Sequence, residues 1–208
     1  CLDVVDPSSA PSASPISNGS ANGNELLTLV NSKHPLPSGW KVSLVQLKNG
    51  QSIDRRAYAA LQDMMDDARR AGLSPLICSS YRTRAKQEEL HKNQVQKFLS
   101  EGYSQSMAEQ KASQWVAPPG TSEHELGLAV DIVATDHQLL DETQEHTPEQ
   151  KWLMENCWKY GFILRYPTSK SSITGIGYEP WHYRYVGKDA AKQIMEQGIC
   201  LEEYLNQV

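Results

Sequence analysis

The 208-residue chain has no apolar run near the ~20 residues a membrane-crossing helix needs, so no helical span is expected. It has no basic excess: 20 Lys and Arg against 25 Asp and Glu leave a formal charge of −5. Without a basic stripe to neutralise phosphates, a nucleic-acid partner is not expected. Its four cysteines, Cys1, Cys78, Cys157 and Cys200, form no Cys-x-x-Cys pair, which argues against a structural zinc knuckle. A Cys157–Cys200 disulfide stays open, but three buried free thiols suit a domain of this size better. No internal repeat is visible. What remains is a composition of 39% apolar and 22% charged residues, that of one globular domain with a polar extension. Nothing in it demands more than a monomer.

The extension is residues 7–24 (PSSAPSASPISNGSANGN), too poor in apolar groups to offset the entropy of ordering. Residues 1–24 therefore read as an N-terminal spacer and 25–208 as the folded domain, beginning near Glu25-Leu26-Leu27. Cys1 running straight into such a tail suggests a lipidated cysteine of a bacterial lipoprotein, with a chance boundary as the alternative.

Within 25–208 the periodicities alternate loosely. Val42–Leu47 reads as a strand. Asp54 caps a helix to about Ala71, striped by Leu61, Met64, Met65 and Ala68, and Gly72 ends it. Further helices are expected over about 83–100, 104–115, 147–160 (Thr147 as cap, Pro148 at its first position) and 188–197. Strands are expected at 76–79, 128–133, 162–164 and 181–185. Runs of both kinds without strict β-α-β repetition predict an α+β fold.

Chemistry concentrates in two segments, Ser122-Glu123-His124-Glu125-Leu126-Gly127-Leu128-Ala129-Val130-Asp131 and Glu179-Pro180-Trp181-His182. Gly127 and the β-branched run after it argue against a helix between His124 and Asp131. On one straight strand their odd separation would point them to opposite faces, so they converge only if the chain turns at Gly127. Otherwise they are a surface histidine and an edge aspartate. Pro180 keeps Glu179 out of the α region, so Glu179 and His182 form an extended pair, with Trp181 between them as a wall; alone, this could be a capped strand end. Together, two imidazoles and a carboxylate suit a catalytic zinc site with a spare carboxylate as base. His34, His91, His137 and His146 lack such neighbours and read as solvated. Arg82, at the end of a strand, could clamp a carboxylate bidentately or simply pair with an acid; Gln87 would lie near the same face.

Ser79-Ser80-Tyr81-Arg82, the Ser-x-His-x-x-Gly-x-Ala-x-Asp pattern from Ser122 to Asp131, and Glu179-Pro180-Trp181-His182 occur in the order of VanY-type zinc D-alanyl-D-alanine carboxypeptidases, which the chain resembles from about residue 26 to 205. Tyr160-Gly161-Phe162 and Arg165-Tyr166-Pro167 look like that family too. The resemblance implies a small antiparallel sheet packed by helices, the hedgehog-like fold of zinc D,D-peptidases. It implies one zinc ion on His124, Asp131 and His182, Glu179 as catalytic base, and Arg82 at the scissile carbonyl or terminal carboxylate. Ser122 and Gln87 match substrate-contact positions. The implied partner is the peptidoglycan stem peptide, in the bacterial envelope, cut before its last D-alanine. L,D-carboxypeptidase or D,D-dipeptidase activity, or a non-catalytic wall-binding module, are the alternatives.

Overall fold

Ala129–Ala134 (AVDIVA) is buried along its whole length and forms strand β4 at the heart of the fold. The computed structural model describes residues 24–206. Cys1 and the spacer, Asn24 apart, lie outside the described residues. β4 pairs antiparallel with β3 (Pro75–Ser79) on one side and β6 (His182–Tyr185) on the other. β5 (Phe162–Leu164) pairs antiparallel with β6, giving the order β3-β4-β6-β5. A second, two-stranded sheet joins β1 (Leu44–Gln46) to β2 (Ser52–Asp54).

Side chains alternate across a strand. Val130 and Ile132 of β4 and Tyr183 of β6 therefore join the main core, while Asp131, His182 and Arg184 belong to the other face. Helix α1 (Arg55–Arg70) covers the core face with Ala57, Leu61, Met64, Met65 and Ala68. Each of its large apolar side chains contributes about 1.5–3 kcal/mol by leaving water. The Asp54 carboxylate caps α1 by accepting from the Arg56 N–H at 2.9 Å. Helix α4 (Pro148–Asn156), capped by Thr147, adds Leu153 to the same core.

On the other side α2 (Arg84–Ser100) and α3 (Gln105–Ser113) pack together through Val95, Ala108 and Ala112. Short α5 (Ser171–Thr174) precedes β6. Then α6 (Lys188–Gln197) and α7 (Leu201–Tyr204) close a smaller cluster around Leu29, Ile163 and Val186.

Several boundaries differ from expectation. The 42–47 strand shrinks to three residues because its partner β2, not expected at all, is only three residues long. The helix expected to reach Tyr160 changes at Cys157 into a 3-10 turn, Cys157–Tyr160, which Gly161 closes at φ +89°. That tighter turn brings Phe162 into β5 beside Tyr185. Cys78, Cys157 and Cys200 are free thiols, so no disulfide links them; Cys78 is only partly buried.

Candidate metal centre and cleft

Asp131 of β4 stands directly opposite His182 of β6 in the sheet register, which sets their side chains together on one face. His124 comes from a 3-10 turn, Glu123–Leu126, that Ser122 caps through its Oγ. Gly127 then takes φ +79° and turns the chain into β4. The turn thus sits where Gly127 predicts it, in a short helical loop rather than an irregular one. His124, Asp131 and His182 are all buried, and one ligand atom from each lies within 4.8 Å of the others.

The orientation of these groups suits ligation of a shared ion. His182 Nδ1 lies 3.1 Å from Asp131 Oδ1, yet that oxygen is buried and accepts no hydrogen bond. His124 Nε2 lies 3.4 Å from Asp131 Oδ2. The remaining ring nitrogens are held from behind: His124 Nδ1 is 2.7 Å from the Ser80 carbonyl, and His182 Nε2 is 3.4 Å from Glu123 Oε2. A ring N–H donated to each leaves His124 Nε2 and His182 Nδ1 as lone pairs aimed at a shared point. An orphaned carboxylate oxygen beside two imidazole lone pairs fits a divalent metal such as zinc.

Glu123 is the functional residue the sequence did not single out. It is fully buried between two guanidiniums, accepting from Arg165 Nε at 2.7 Å and Arg184 at 2.8 Å. Burial opposes its ionisation, but Arg165 and Arg184 outweigh that and hold its carboxyl well below the usual range. The signal lay in its place between Ser122 and His124, with nothing local to show that two distant arginines meet it.

Burial similarly opposes charge on Asp131, and His124 and His182 overcome it. Burial lowers His182, but the adjacent carboxylates of Asp131 and Glu123 prevail and raise it to about 9. The field that would hold a proton there also favours a cation. Burial, then the Arg82 charge, lowers His124 and keeps it neutral and able to ligate. Glu179, with Oε2 3.6 Å from His182 Nδ1, is pushed up to about 8, chiefly by burial.

Arg82 reaches the same centre. It donates from Nε to Ser79 Oγ (3.0 Å), from one terminal nitrogen to Gln87 Oε1 (3.2 Å) and from the other to Asp131 Oδ2 (3.1 Å). Three of its five N–H groups are used, leaving two for a ligand. Gln87 is buried with its amide nitrogen on the Ala117 carbonyl at 2.7 Å, so it braces Arg82 from the cavity wall. A cavity of about 580 Å³ opens over Arg82, Gln87, His124, Asp131 and His182 and is lined also by Ser122, Tyr166, Glu179 and Trp181. None of His34, His91, His137 and His146 lines it.

A family model described as VanY, D-alanyl-D-alanine carboxypeptidase, matches residues 50–188. A D-alanyl-D-alanine carboxypeptidase of Enterococcus faecalis is 49% identical over 181 residues, 86% of this chain and 65% of that protein. This chain therefore spans just under two thirds of that relative's length. Two solved structures superpose with a TM-score of 0.82 at 48% identity and cover 88% of this chain. One, a vancomycin resistance D,D-pentapeptidase VanY mutant from a VanB-type cassette in complex with Zn(II), is covered over its full length. The other, VanYB in complex with D-alanine-D-alanine, is covered over 98%. The LdcB LD-carboxypeptidase, solved in connection with peptidoglycan recognition, follows at TM-score 0.75 and 38% identity, covering 88% of this chain and 86% of that one. With the ordered motifs, the shared α+β fold and this match, the chain belongs to the VanY D-alanyl-D-alanine carboxypeptidase family.

Proposed function

We propose that the chain is a zinc-dependent D-alanyl-D-alanine carboxypeptidase that removes the C-terminal D-alanine from peptidoglycan stem peptides. It would act outside the cytoplasm, in the bacterial envelope, as a monomer. The observation that carries this reading is the buried, unpartnered Asp131 Oδ1 facing His182 Nδ1, with Glu179 alongside. His124, Asp131 and His182 would hold the metal, as ligands of the types zinc prefers. Zinc held there would supply Lewis acidity and bring the pKa of water toward 7.

The rest of the chemistry belongs to the chain's own residues. Glu179 is the proton carrier: its buried carboxylate takes a proton from the attacking water and returns it to the departing amine. Arg82, fixed by Ser79, Gln87 and Asp131, offers its remaining N–H groups to the terminal carboxylate or the developing oxyanion. Such a donor is worth roughly 3–4 kcal/mol in other enzymes. Ser122 and Trp181 line the cavity beside these groups and shape the substrate side.

Mass spectrometry of products from pentapeptide and tetrapeptide stems tests the reading. Release of one D-alanine from the pentapeptide, abolished by a chelator and restored by Zn(II), is the expected result. Cleavage of the tetrapeptide alone would make the chain an L,D-carboxypeptidase, the activity named for LdcB. Turnover unaffected by chelation would remove the metal from the mechanism.

A further inference from the structure

The cavity continues away from the metal centre along one face of α2, where Gln87, Leu90, Gln94 and Lys97 all line it. That three- and four-residue spacing is one stripe of a helix. The opposite side of the helix is committed to α3 through Val95. Across the groove Trp115 and Leu140 stand 39% and 50% exposed, large apolar groups left open on the rim. Apart from Arg82, Lys97 is the only lysine or arginine on the wall, and it has no ion-pair or hydrogen-bond partner for its ammonium among the described residues.

Ten residues separate Gln87 from Lys97, about 15 Å along the helix axis. Helical side chains lean toward the N-terminus, so the ammonium leans back toward the metal centre. An extended peptide advances about 3.3–3.6 Å per residue, so ~15 Å is about four residues, and the backward reach of the long lysine side chain brings its ammonium to about three residues upstream of the bond at the metal centre. Asp141 and Glu142, also on the cavity wall, would repel a carboxylate, so one entering the groove belongs on the α2 side.

We propose that this stripe is a subsite for the stem upstream of the scissile bond, in which Lys97 pairs with a free carboxylate on the second residue of a pentapeptide. The inference rests on the stem-peptide reading above. Its test uses two synthetic pentapeptides ending in D-Ala-D-Ala, one with a free α-carboxylate on a γ-linked second residue and one with a carboxamide there. A short acetylated peptide ending in D-Ala-D-Ala serves as reference. The zinc-loaded protein should show a roughly fivefold higher kcat/KM for the free acid, a preference that shrinks with added salt. Lys97→Gln should abolish the preference and Lys97→Arg should keep it. Equal rates for the two pentapeptides, or a preference surviving Lys97→Gln, would overturn the inference while cleavage of the short peptide leaves the function standing. Failure to cut any of the three would overturn both.

Discussion

Asp131 Oδ1 and His182 Nδ1 are 3.1 Å apart without a hydrogen bond, a geometry costly to leave buried unless a third group sits between them. At the scale of single residues, ligation and proton transfer should therefore separate. Glu179→Ala should still bind Zn(II), measured by titration against a competing chelator, while turnover falls by at least 100-fold. His124→Ala should lose metal affinity as well as activity. Near-normal rates in Glu179→Ala would make another group the base. Glu123 gives a sharper case, because it touches His182 and not the cavity. Glu123→Gln, close in shape but neutral, weakens the hydrogen bond that orients His182 and should cost about 10- to 100-fold in zinc affinity. Glu123→Ala additionally leaves the fully buried Arg184 without a carboxylate partner and takes one of two from Arg165, and should cost about 3–5 kcal/mol of folding stability in denaturant titration.

Among the elements, the turn from His124 into β4 depends on one backbone conformation. Gly127 has φ +79°, and an added Cβ would meet Val42 Cγ1 at 2.8 Å. Gly127→Ala should lower stability by more than 1 kcal/mol and weaken zinc binding, since it strains the peptide that aims His124. An unchanged melting temperature would show the turn to be slack. This turn was legible from the sequence: an odd spacing, a glycine and a β-branched run leave a bend as the way for His124 and Asp131 to converge. The periodic helices were legible too, because α1 stripes its apolar residues and announces its cap at Asp54. Strand ends were not. β2 is three residues long and pairs only with β1, so its existence is decided by contacts rather than by local pattern. Nor was Glu123 legible as a brace, since its partners lie more than 40 residues away along the chain. Arg82 pairing with Asp131 was one reading the residues left open, and the fold forms that pair by ending β3 beside β4 while leaving two N–H groups of Arg82 for a ligand.

Across the whole molecule, that brace continues outward. Arg165 donates to both oxygens of Glu202 at 2.8 Å, Glu202 Oε1 also accepts from Asn31 at 3.2 Å, and Arg184 reaches the Leu26 and Thr28 carbonyls. The N-terminal segment, the sheet and α7 are thus pinned to the charges behind His182. Burial alone would raise the pKa of Glu202, but the Arg165 charge and its hydrogen bonds take it below the ordinary carboxylate value. A depressed folded pKa means the pair contributes stability above the unfolded value of about 4.3 and loses it as pH falls through the folded one. Glu202→Gln should therefore melt below the parent at pH 7, by an amount equivalent to about 2 kcal/mol or more. The gap should narrow as pH drops below about 4, where the unfolded parent's carboxylate takes up a proton that the folded one still resists. A gap constant from pH 7 to 3 would show that shape, not charge, joins α7 to the sheet. Zinc affinity measured on the same variant at pH 7 tells how far the chain of pairs carries: a loss there would mean that docking of α7 reaches His182 through Arg165 and Glu123.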